Sequence, residues 1–116
     1  MATYIVTNNK DSGVGSLREA IAFANANLGE DAIEIVTDIS LSGAINITDG
    51  VTISSSFGAT ITQTGSDRIF KIDDGDDSVD INVKIDRINI TGGNPALMGG
   101  AILSYENLSI DQFPVI

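Results

Sequence analysis

Asp73, Asp74, Asp76, Asp77 and Asp80 crowd into one short stretch of the chain. Carboxylates at this density suit a hard cation, and Ca2+ takes about six to eight oxygens at roughly 2.3–2.6 Å. A turn centred on Gly75 would present two or three of them. The spacing matches neither the EF-hand loop nor the G-G-x-G-x-D nonapeptide repeat. Asp73, Asp74, Asp76 and Asp77 are thus candidates for a weak Ca2+ site, set against the plainer reading of a solvated turn.

Three cations, Arg68, Lys71 and Lys84, suggest a second chemistry. In a polysaccharide lyase a cation neutralises a uronate while a base removes the α-proton. Such a groove is built over many coils of stacked strands, and this chain has only about two or three. Arg18 and Glu19 have the makings of an acid/base pair, but Glu19 sits where it would cap a helix. Asn8, Asn9, Asn46, Asn82 and Asn89 suit either stacked amide ladders or ordinary turns. Asn46, Asn89 and Asn107 each open a glycosylation-type triplet, a pattern expected by chance in an Asn- and Thr-rich chain.

Absences narrow the field further. The chain has no Cys and no His. Disulfides, thiolate nucleophiles, imidazole bases and His- or Cys-based zinc sites are therefore excluded. Its 16 acidic residues against 6 basic ones give a net charge of −10. That balance argues against nucleic-acid partners and against anionic membranes, both of which demand basic clusters. No apolar run is long enough to span a bilayer, so no membrane insertion is expected. No catalytic set and no resident cofactor emerges, and the reading is of a protein that is not an enzyme.

The elements that must position these residues follow from periodicity. Residues 3–7 read as a short strand, and 8–15 as a polar loop. Ser16 and Glu19 form an S-x-x-E capping box. Leu17, Ala20, Ile21, Ala24 and Leu28 fall on one apolar stripe, and Gly29 stands at a natural stop. A helix is predicted over 17–27, with Ser16, Leu17, Glu19 and Ile21 as its structural cap residues. After residue 31 the apolar period changes to two, in short bursts punctuated by Gly and Asp. The bursts starting at Val51, Val79 and Asn107 recur every 28 residues, and those at Ala59 and Ile88 are 29 apart. Recurrence at that scale, with about three strands per unit, predicts parallel stacking.

The run TNNKDSGVGSLREAI at 7–21, followed by ANAN at 24–27, resembles the N-terminal cap of large secreted bacterial proteins, especially cyanobacterial ones, that carry a G-S-L-R-E-A-I motif. Residues 88–93 and the G-G-A-I at 99–102 look like the first coils of that family. The G-G-A-I is also similar to a repeat of polymorphic outer-membrane adhesins. The resemblance implies a mostly-β, right-handed parallel β-helix (solenoid) with one N-terminal amphipathic capping helix.

As a whole, the chain reads as a single domain over 1–116: a strand and capping helix at 3–31, coils at 32–110, and an apolar tail at 111–116. The expected function is a non-catalytic structural or adhesion-type module of a secreted or cell-surface protein. Alternatives are the non-catalytic beginning of a carbohydrate-active enzyme of polysaccharide lyase type, or a Ca2+-dependent self-assembly module. Expected partners are a further copy of the chain, joined through an open C-terminal coil, and a surface polysaccharide or protein ligand. If Met1 is the native start, export would proceed without a cleaved signal peptide.

Overall fold

Alternation of apolar and polar residues puts every second side chain of a strand inside, and the computed structural model follows that rule closely. It describes residues 2–65, 68–73, 75, 81–92, 102–104 and 107–111. The strands are β1 (Thr3–Val6), β2 (Asp31–Ile35), β3 (Ile39–Leu41), β4 (Ile45–Ile47), β5 (Val51–Ser54), β6 (Thr60–Gln63), β7 (Phe70–Ile72), β8 (Asn82–Asp86), β9 (Asn89–Gly92), β10 (Ile102–Ser104) and β11 (Asn107–Asp111). One helix, α1 (Leu17–Ala26), lies between β1 and β2. Ile33, Ile35, Ile45, Ile47, Ile53, Ile61 and Ile85 are all buried, while the intervening positions face outward. Among the described residues Phe70 is the largest fully buried side chain, and the other buried apolar residues are aliphatic. A cross-section this thin needs β-branched residues more than large aromatic anchors.

Among the described residues all strand pairs are parallel, in three sheets: β1-β2-β5-β8-β11, β3-β6-β9 and β4-β7-β10. From β2 onward the chain visits the three sheets in a fixed rotation. A parallel neighbour cannot be reached by a tight hairpin, so β1 reaches β2 through α1, and each later pair in a sheet is separated by a strand from each of the other two.

The expected class, a mostly-β, right-handed parallel β-helix with a helix added as a cap, is corrected by this architecture. The fold is mixed: short parallel strands in three small sheets, plus one helix that is part of the core. Leu17, Ala20, Ile21 and Ala24 of α1 are buried in the same cluster as the strand residues. No regular solenoid repeat is present among the described residues. The 28-residue recurrence is not the structural one, since Val51 pairs with Val83 rather than Val79, and Asn107 pairs with Asn82. Val79 itself lies outside the described residues. Only the second sheet keeps the spacing of its sequence bursts, with Ile61 opposite Ile90. Connections between strands differ in length from one circuit to the next, so the ladder is set by which apolar residues reach the interior rather than by a constant period.

Helix α1 begins as its sequence requires. The Ser16 hydroxyl accepts the Glu19 amide at 3.2 Å and donates to the Gly13 carbonyl at 2.7 Å. The Glu19 carboxylate reaches one residue further back than the capping box prescribes, accepting the Gly15 amide at 3.2 Å. Gly15 itself has φ +82°, and a Cβ there would come 2.8 Å from the Thr7 hydroxyl, so glycine is required by both conformation and space. At its far end α1 stops at Ala26, with Asn27 extended. Leu28 therefore leaves the apolar stripe it was expected to continue and stands 88% exposed.

Candidate functional site

Strand edges are the reactive part of a parallel stack, because unpaired N–H and C=O groups invite further strands. At the end where the chain begins, β1, β3 and β4 are the terminal strands of the three sheets. At two of these edges, side chains and a loop carbonyl bond to outward backbone groups of the strand or of the residue just beyond it. The Asn25 carboxamide of α1 accepts the Thr48 amide at 2.9 Å and donates to the Asn46 carbonyl at 3.0 Å, doing for β4 what a neighbouring strand would do. Arg18 donates to the Gly43 and Ala44 carbonyls, both at 2.8 Å. It also holds Asp11 through its carbonyl at 3.0 Å and its carboxylate at 3.1 Å. The Asp11 carboxylate in turn accepts the Ser42 amide at 2.8 Å, and the Asn9 carbonyl accepts the Ser40 amide at the edge of β3. The Ser42 amide, with the Arg18 guanidinium beside it, holds the Asp11 carboxyl below its ordinary range.

The edge of β1 is different. Ala2 and Val6 direct their carbonyls toward β2, where they accept the Ala32 and Val36 amides. In a parallel pair the bonding side alternates, so Thr3 and Ile5 present their N–H and C=O groups outward. Beyond them the edge closes again, where the Thr7 amide donates to the Gly15 carbonyl at 3.0 Å. Between this free edge and α1 runs a groove of about 350 Å³, lined by Thr3, Tyr4 and Ile5 on one side and by Glu19, Ala20 and Phe23 on the other. Tyr4 and Phe23 meet across it with ring centroids 5.9 Å apart. Phe23 and Ile5 are each about half exposed.

A second, polar depression of about 250 Å³ lies on the outer face of the third sheet, lined by Asn46, Thr48, Lys71, Asp73 and Gly75. It brings together two residues singled out for separate reasons, Lys71 and Asp73. The lyase-type cations are otherwise dispersed: Lys71 is on β7 of the third sheet, and Lys84 is on β8 of the first. Of the candidate Ca2+ ligands, Asp73 spends one carboxylate oxygen on the Gly75 amide at 2.9 Å, as a turn residue does. Asp74, Asp76, Asp77 and Asp80 lie outside the described residues. Among the described residues no group of three or more carboxylates is close enough to hold a metal ion.

The expected cap residues Ser16, Leu17, Glu19 and Ile21 are found together at the start of α1, two in hydrogen bonds and two in the core. The Asn residues are not stacked in a common ladder: Asn46 is in the third sheet, Asn89 in the second, and Asn82 in the first. The Asn89 side chain donates instead to the Gly58 carbonyl at 3.2 Å. Sequence reasoning missed Asp11 and Asn25. The one available signal was their position, a short polar residue in the loop before the helix and another on the helix flank beside Ala24. No protein-family model matches the chain, and no curated protein or solved structure does either.

Proposed function

We propose that this chain is a non-catalytic structural module of adhesion type, working outside the cell or at its surface, whose helix-bearing end terminates a scaffold of stacked parallel strands. The observation that carries this reading is the sealing of β3 and β4 by Asn9, Asp11, Arg18 and Asn25. Charged and amide side chains of the helix and its leading loop are committed to closing strand edges instead of converging on a substrate. Terminal units of stacked architectures need such closure to remain monomeric and soluble. The likeness of residues 7–21 to the caps of secreted bacterial proteins supports the extracellular placement. The depression containing Asn46, Lys71 and Asp73 offers donors and acceptors suited to polysaccharide hydroxyls.

The test is incubation with a panel of polyuronates and neutral polysaccharides, followed by both binding and ultraviolet absorbance. Saturable binding without unsaturated product is expected. Formation of unsaturated uronate that disappears in Lys71→Ala would overturn the reading in favour of a lyase.

A further inference from the structure

We propose that the groove between β1 and α1 is a docking site for an extended, basic segment of a partner protein, which adds to the first sheet as a further strand. Two independent features support it. The first is backbone chemistry. Thr3 and Ile5 offer outward N–H and C=O groups that no described residue pairs with, whereas β3 and β4, the terminal strands of the other two sheets at this end, have outward groups bonded by Asn9 and Asn25, with Asp11 and Arg18 bonding the segment between them. Strand addition supplies main-chain hydrogen bonds for affinity and leaves alternate side chains to give specificity. Opposite the edge, α1 supplies Ala20 and the exposed ring of Phe23 as an apolar wall, so inward-facing side chains of the added strand would be apolar.

The second feature is charge. Glu19 is the ionisable side chain that lines the groove on the helix, and Glu34 neighbours Ile5 on the outer face of the sheet. The chain carries −10 overall. An incoming strand with alternating basic and apolar residues satisfies both the wall and the field, while a second copy of this acidic chain is opposed by it. The strand therefore comes from a basic partner.

The experiment uses the whole chain and two synthetic end-blocked pentapeptides, one alternating Lys and Val, the other alternating Glu and Val. Binding is followed by amide chemical shifts. The Lys peptide is expected to move the Thr3, Ile5 and Phe23 signals and to bind at least about tenfold more tightly than the Glu peptide. Ile5→Pro removes an outward donor without touching the bonds to β2, and should weaken binding by about tenfold. Phe23→Ala, at an exposed position, should do the same if Ile5→Pro perturbs folding. Glu19→Gln keeps the acceptor for Gly15 and should narrow the preference for the Lys peptide. Equal binding of both peptides, shifts confined to other regions, or no binding would overturn the proposal. So would self-association of the unliganded chain that Ile5→Pro abolishes, since that makes a second copy the occupant.

Discussion

Asn25 stands to Thr48 as a neighbouring strand would: its side-chain oxygen accepts the Thr48 amide at 2.9 Å, while its nitrogen reaches the Asn46 carbonyl 3.0 Å away. A single carboxamide on a helix thus substitutes for a rung of parallel ladder. The match works because one amide offers a donor and an acceptor in the same plane, as a peptide group does.

Replacing Asn25 by Ala removes both bonds and leaves two strand groups to water. The site is exposed, so the cost should be about 0.5–1.5 kcal/mol, read from the midpoint of urea unfolding. Asn25→Asp retains the acceptor alone and should fall between the two. An Asn25→Ala protein with an unchanged midpoint would show that β4 does not need this closure.

Asp11 sets a pH dependence. Its carboxyl titrates below the ordinary 3.8 in the folded chain, first because the Ser42 amide donates to the carboxylate and also because Arg18 lies beside it. A lowered folded-state pKa contributes stability above the unfolded value, and that contribution is lost as pH falls through the folded one. The difference in Tm between the wild type and Asp11→Asn should be constant at neutral pH and shrink as pH falls below 3.8. A difference that persists undiminished in strong acid would remove the carboxylate's charge from the explanation.

Arg87, at the turn between β8 and β9, has φ 59° and is exposed. A left-handed conformation costs a residue with a Cβ about 1–2 kcal/mol, while glycine adopts it freely at some loss of chain entropy. Arg87→Gly should therefore raise stability by about 0.5–1 kcal/mol. Calorimetry showing a lowered Tm would mean that the arginine side chain contributes more than the strain it bears.

Ile21 tests whether α1 belongs to the core. It is 1% exposed, and Ile21→Asp would bury an unpaired charge, costing several kcal/mol. Ser16→Ala removes a single cap and should cost about 1 kcal/mol. Comparable denaturation midpoints for Ile21→Asp and the wild type would place the helix outside the cooperative unit.

What the sequence determined by itself was local. Ser16 and Glu19 mark the start of α1, the stripe Leu17, Ala20, Ile21 and Ala24 marks its buried face, and the period of two names the inward isoleucines of the strands. Each of these rests on interactions among residues a few positions apart, and the short-range geometry of helix and strand is the same in any protein. Register was decided elsewhere. Val83, not Val79, lies opposite Val51 because pairing depends on how much chain the other two sheets absorb between successive strands, which no local period encodes. The same holds at the closed end: Asp11 meets Ser42, Arg18 meets Ala44, and Asn25 meets Thr48 across more than twenty residues of intervening chain. Nothing in the type of an asparagine or arginine says which distant backbone group it will find. Only the tertiary structure, by packing α1 against β1, β2 and β4, brings those groups within hydrogen-bonding distance and leaves the edge of β1 open.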